Sequence, residues 1–231
     1  YNSYINMIDS LSQLENAKGI LSDAIINYIA LLGCSFGDEE ILSLDQLIEK
    51  FEVKHINKSG AIFDIDKLTW MNGMYLRAKT VEEFNELAMP YYEGLDASYD
   101  RLEVSKILQP RVNTLAEIPE MIDFIDELPE YDIDLYNNKK MKTNPEIALS
   151  SLKVARELLE GIEDWTHENV HDGLINLAQT LGIKNGQLLF PLRVALSGKA
   201  FTPGGAIELA DIFKKEETLN RIDSAIAKLS A

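Results

Sequence analysis

Three polar pairs, each three residues apart, punctuate this chain: Ser43 with Gln46, Thr80 with Glu83, and Thr114 with Glu117. Each matches the capping box, in which a hydroxyl and a carboxylate or amide satisfy the orphan amides of a helix's first turn reciprocally. A chain marked in this way starts helices rather than hairpins. Asn144–Pro145 writes a further start, with proline at the first helical position, where its missing N–H costs nothing. Between the marks, apolar residues recur at helical spacing. Ile20, Leu21, Ala24, Ile25, Tyr28, Ile29, Leu31 and Leu32 form one such face, which Gly33 is expected to stop as a C-terminal glycine. Phe51–Phe63 is richer in β-branched residues and is broken by Ser59-Gly60, so a short extended piece is expected there. The expected fold is therefore all-α and multi-domain, with at most a minor β element near 51–63.

At 231 residues, 46% hydrophobic and 26% charged, the chain can bury a substantial core and fill more than one small domain. An apolar cluster gives way to a capped helix near Arg77–Thr80, and acidic polar sequence intervenes near Pro129–Asp134. These breaks predict domains at 1–80, 81–130 and 131–231, with a lesser break near Gly161. Residues 1–19 are less regular than the rest of the chain, as in a frayed end, an altered junction or a helix remnant. No run approaches the roughly 18 apolar residues of a membrane helix, and no secretory start is written, so a cytoplasmic protein without a membrane partner is expected. The single cysteine, Cys34, has no partner for an intramolecular disulfide, and in LLGCSF it reads as a small hydrophobe beside a turn.

Several motifs reduce to structure. HENVH at His167–His171 has the H-E-x-x-H spacing that can hold zinc, but Thr166 reads as an N-cap, which makes His167 and Glu168 first-turn residues. His55 lies in another segment, so a third ligand is lacking and no metal site is expected. No glycine-rich phosphate cradle occurs, and neither a catalytic residue nor a cofactor site is expected in this chain. The acidic run Asp123–Asp134 lacks calcium-loop spacing and reads as a solvated face between domains.

A formal net charge of −16 weighs against nucleic-acid binding. Net charge averages over all faces, however, and Lys139, Lys140, Lys142, Lys184, Arg193 and Lys199 supply local positive charge in the C-terminal half. An acidic body with a small basic strip would repel non-specific RNA. In LQPRVNTL, Arg111 follows Pro110 and precedes the cap Thr114; its rigid fork of donors suits a base edge or phosphate, but the residues alone favour a structural pairing with a carboxylate such as Glu117 or Glu120. GIKNGQLLFPLRVALSGKAFTPGG at Gly182–Gly205 reads as an apolar helix with Pro191 near its start, Arg193 as its polar exception and Gly198 as its stop. Thr202, Pro203, Gly204 and Gly205 then offer a hydroxyl, a rigid ring and accessible amides of the kind that meet an unstacked RNA base.

Taken in order, these blocks resemble the C-terminal half of bacterial class I glutamyl-tRNA synthetases. The likeness runs from about Asn16 to Ala231 and is carried by ALLG, KSGAIFDIDKLTWMNGMYLR, LQPRVNTLAEIPE, EDWT, KNGQ, PLRVALSG and TPGG. It implies a stem-contact region up to about Thr80, followed by two helical anticodon-binding domains. It also implies that Arg111 reads the third anticodon base and favours glutamate over glutamine tRNAs, that Thr202 and Pro203 face the anticodon, and that Arg193, Lys184 and Gln187 lie among the RNA-binding residues. Gly205 departs from the commonest form of the last loop. The family's Rossmann half and its ATP-site motifs are absent, so this chain alone is expected not to activate glutamate. The implied partners are tRNA(Glu) and that catalytic half, which would bring the ATP site, and the chain is expected to be a monomer. A truncated helical scaffold binding a protein partner is the other reading.

Overall fold

A computed structural model describes residues 10, 12–14, 18–57 and 62–231, and within them the chain divides into two compact units. The first comprises residues 1–94 and 109–120, the second residues 95–108 and 121–231. The helix starts written at Ser43, Thr80, Asn144 and Thr166 are realised, whereas Thr114 opens only a three-residue 3-10 turn. No sheet forms among the described residues.

In the first unit, helices α1 (Ser22–Gly33), α2 (Leu44–Lys50), α3 (Ile65–Ala78) and α4 (Val81–Ala88) follow in order, with 3-10 turns at Val53–His55 and Leu115–Glu117. α1 and Ile20 just before it pack on α3, with Ile20, Ala24, Ile25, Tyr28, Leu68 and Met71 all buried in one cluster. The Tyr28 hydroxyl accepts from the Asp64 amide at 2.5 Å and fixes the entry into α3. Ser43 and Thr80 each accept from the N3 amide at 3.2 Å, while Gln46 and Glu83 return the bond at 2.8 Å. Gly33 differs from expectation: it is the last helical residue with no positive φ, and α1 is left through extended Cys34. The extended piece reduces to one isolated bridge between Cys34 and Ile56, and the Ser59-Gly60 punctuation lies outside the described residues, as does most of 1–19.

The second unit contains α5 (Arg101–Leu108), α6 (Pro145–Glu160), α7 (His167–Thr180), α8 (Asn185–Ser197) and α9 (Ala206–Ser230). α6, α7 and α9 surround α8, whose Leu188, Leu192, Val194, Ala195 and Leu196 are buried. This helix begins at Asn185, so Pro191 sits in its interior rather than near its start. Proline there leaves the carbonyl four residues back without a helical donor. The structure supplies one from outside: Ser151 of α6 donates to the Gln187 carbonyl at 3.3 Å. Gly198 ends α8 in the left-handed region at φ +65, as expected. α9 breaks at Lys214, and the EDWT block serves that break, with the Trp165 indole donating to the Ala210 carbonyl at 3.1 Å.

Candidate nucleic-acid interface

Arg111 stands in an exposed turn of the first unit, and its setting explains why LQPRVNTL and WMNGMYLR occur together. Gln109 donates to the Leu76 and Lys79 carbonyls at 3.0 and 2.7 Å, closing the C-terminus of α3. Asn72 of α3 donates to the Asn113 carbonyl at 2.7 Å, and Arg77 donates to the Val112 carbonyl and to Asn113 Oδ1, both at 3.3 Å. Val112 is fully buried. A Cβ on Gly73 would lie 2.2 Å from Asn113 Oδ1, so glycine is what lets the turn come this close to α3. Glu117 spends both carboxylate oxygens on the amides of Asn113 and Thr114, at 3.2 Å each. The carboxylate that would most simply neutralise Arg111 is therefore engaged with the backbone. Among the described residues Arg111 has no ion-pair partner, and its guanidinium is presented to solvent from an immobilised turn.

The remaining residues singled out in the sequence lie in the second unit. Arg193 is half-buried and donates to the Ala200 carbonyl at 3.3 Å, so it shapes the loop after α8. Thr202 is half-buried and its hydroxyl donates to the Gly204 carbonyl at 2.6 Å, which leaves the oxygen's lone pairs as acceptors. Pro203 is buried, and a Cβ on Gly204 would lie 2.9 Å from Ile107, so this end of the loop is packed down. Lys184 is exposed at the N-cap of α8, while Gln187 lines a groove of about 470 Å³ with Ile147, Val154, Leu181 and Ile183.

One buried arginine supports this loop and was missed from the sequence. Arg221 is 3% exposed and donates at 2.8 Å to the Leu196 carbonyl at the end of α8 and to the Phe124 carbonyl. Its guanidinium carbon also stands 4.0 Å from the Phe213 ring centroid. Its only local signal was Glu217, one turn earlier. The acidic run is correspondingly more than a solvated face: Asp123 pairs with Lys199 and Glu130 with Lys228, while Phe124 and Ile125 between them are fully buried.

The two histidines of HENVH turn to different carboxylates, His167 to Asp211 at 2.5 Å and His171 to Asp172 at 2.9 Å. The Asp211 bond raises the His167 pKa above its ordinary value, against the opposing effect of burial. Thr166 caps α7 by accepting from the Asn169 amide at 3.2 Å. Cys34 is buried, its thiol directed at backbone carbonyls.

A sequence-family profile described as an anticodon binding domain matches residues 83–226. The chain belongs to the anticodon binding domain family. It is 55% identical over 214 residues to the glutamate–tRNA ligase of Clostridium tetani, and 51% identical over 215 residues to that of Clostridium acetobutylicum. Each match covers 92% of this chain and 44% of the relative, so this anticodon binding domain protein spans less than half the length of the curated relatives it matches. A solved glutamate–tRNA ligase from Elizabethkingia meningosepticum superposes with a TM-score of 0.78 at 29% identity, covering 91% of this chain and 42% of that one. The glutamate–tRNA synthetase of Elizabethkingia anophelis gives 0.74 at 27% identity, covering 90% and 41%. Family membership and the helical architecture agree with the resemblance read from the ordered blocks. No helix among the described residues is long and apolar enough to cross a membrane.

Proposed function

We propose that this chain grips the anticodon arm of tRNA(Glu) and serves glutamate–tRNA ligase activity, the ATP-dependent attachment of glutamate to tRNA(Glu), when joined to a catalytic half that supplies the ATP and glutamate sites. The observation that carries the reading is Arg111, exposed and without a carboxylate partner among the described residues, on a turn fixed from both sides. The backbone beneath this unpaired guanidinium is ordered before any ligand arrives, and the fork itself can bond a base edge in two places. Arg111 is the residue that selects the third anticodon base. Thr202 accepts from a base or ribose donor, Pro203 and Arg193 hold that loop in shape, and Lys184 and Gln187 contact RNA nearby. The chain acts in the cytoplasm as a monomer, holds no cofactor of its own, and recognises single-stranded bases by shape and edge.

Titration of the chain with tRNA(Glu) and with a tRNA(Glu) altered at the third anticodon base tests this. The wild type favours the unaltered RNA, and Arg111→Ala reduces that preference by about 1–3 kcal/mol without changing the melting temperature. Equal binding of both RNAs by the wild type, or an unchanged preference in Arg111→Ala, would sink the assignment.

A further inference from the structure

Several cations of the second unit are matched with carboxylates: Lys106 with Glu103, Arg156 with Asp223 and Glu160, Lys199 with Asp123, Arg221 with Glu217, and Lys228 with Glu130. Lys139, Lys140 and Lys142 are different. All three are exposed, and among the described residues none has an ion-pair partner. They stand in a tight hairpin closed by reciprocal bonds between Asn138 and Thr143, 3.1 Å in each direction. Its backbone is fixed at several further points. Asn138 Oδ1 accepts from the Met141 amide at 3.0 Å, and the Thr143 hydroxyl donates to the Tyr136 carbonyl at 2.8 Å. Tyr136 itself is fully buried, with its hydroxyl 3.0 Å from that of Tyr131. Lys142 has φ +57, a left-handed conformation that a lysine keeps only where its surroundings impose it.

The single apolar residue among the lysines provides the anchor. A Cβ on Gly186 would lie 2.5 Å from Met141 Sδ, so this glycine in the first turn of α8 makes room for the sulfur. That contact brings the hairpin beside exposed Lys184, two residues earlier. The carboxylates nearest in sequence keep their own charge, but among the described residues none forms an ion pair with these lysines. Asp132 accepts from the Asp134 amide and Asp134 from the Asn137 side chain, at 2.8 and 3.2 Å, and Glu146 adds one exposed negative charge.

We propose that the 137–143 hairpin, together with Lys184, is a clamp for the phosphate backbone of a structured RNA, independent of base sequence. The proposal rests on the RNA-binding function given above and extends it to residues that carry no base-reading geometry. A chain of net charge −16 repels a polyanion at long range. Within about one Debye length, 8–10 Å, a local cluster of unpaired lysines reverses that sign. Lysines act as point charges without the planar fork of Arg111, which suits phosphates rather than base edges. A pre-shaped hairpin leaves little backbone ordering to oppose binding.

The test uses the full chain, with tRNA(Glu) and a non-cognate tRNA of equal length, across a series of salt concentrations. K139A/K140A/K142A should bind both RNAs at least about tenfold more weakly at low salt, keep the ratio between them, and lower the salt slope by roughly two to three units. A melting temperature equal to wild type verifies folding, as expected for three exposed side chains. Arg111→Ala should do the opposite, altering the ratio while leaving the slope. A triple variant with wild-type affinity and slope overturns the clamp but leaves the anticodon reading standing. Absence of tRNA binding by the wild type overturns both. Unchanged tRNA binding accompanied by lost binding to polyglutamate overturns the clamp and reassigns the hairpin to an acidic protein.

Discussion

Gly73→Ala sets two effects of opposite sign against each other. In the interior of a helix, alanine is better than glycine by about 0.8–1 kcal/mol, so propensity alone predicts a more stable protein. At this position the new methyl would lie 2.2 Å from Asn113 Oδ1 and 2.8 and 3.0 Å from the two terminal nitrogens of Arg77. Both neighbours are side-chain ends and can move, but moving them breaks the bonds from Arg77 to Asn113 Oδ1 and the Val112 carbonyl. At 3.3 Å those bonds are long, and their loss costs about 0.5 kcal/mol each, at the weak end of the usual range. Overpacking adds about 1–3 kcal/mol. Net destabilisation of roughly 1–3 kcal/mol is expected, together with weaker tRNA(Glu) binding, because the displaced turn carries Arg111. Urea unfolding and the RNA titration read the two consequences separately. Asn113→Ala removes the closest obstacle, so the double variant should recover part of the lost stability but not the RNA affinity. A Gly73→Ala protein about 1 kcal/mol more stable than wild type, with unchanged RNA binding, would refute the reasoning.

Two other outcomes depend on particular bonds. Ser151→Ala removes the donor that serves the Gln187 carbonyl and should cost about 1 kcal/mol in urea unfolding, but close to nothing in a Pro191→Ala background, where the restored amide can take over. The pKa of His167 is raised chiefly by its bond to Asp211, with support from the charges of Asp211, Glu208 and Glu103. A raised histidine pKa adds stability that is complete below its unfolded value, near 6.5, and is lost as pH rises through the folded value. The difference in urea midpoint between wild type and His167→Gln should therefore be largest near pH 5.5 and vanish in alkali. A difference that grows with pH would contradict the pairing.

Much of this protein is written locally. Ser43, Thr80, Asn144 and Thr166 each fix a helix start because a capping bond spans only two or three residues, so the chemistry that decides it lies within one short window. Gly198 likewise stops α8 through its own backbone freedom. Arg111 was visible as a residue type in a turn, and HENVH as a first turn behind a cap. The sequence left two roles open for Arg111, base reader or structural ion pair, because nothing in LQPRVNTL says where the oxygens of Glu117 go.

Only the tertiary structure decides matters that depend on partners distant in sequence. Asn72 reaches Asn113 across 41 positions, and Ser151 reaches Gln187 across 36, so neither the rigid turn beneath Arg111 nor the tolerance of Pro191 inside a helix could be read from spacing. Arg221 bonds Phe124 across 97 positions, which turns part of an acidic stretch into core. The grouping of 95–108 with the C-terminal helices, and of 109–120 with the N-terminal ones, is set by which apolar faces bury one another rather than by any mark in the chain. Periodicity and caps determine what each segment becomes, because those interactions close within a helical turn. Which charges stay unpaired at the surface, Arg111 and the hairpin lysines among them, is decided by packing, because it depends on which carboxylates the fold has already engaged.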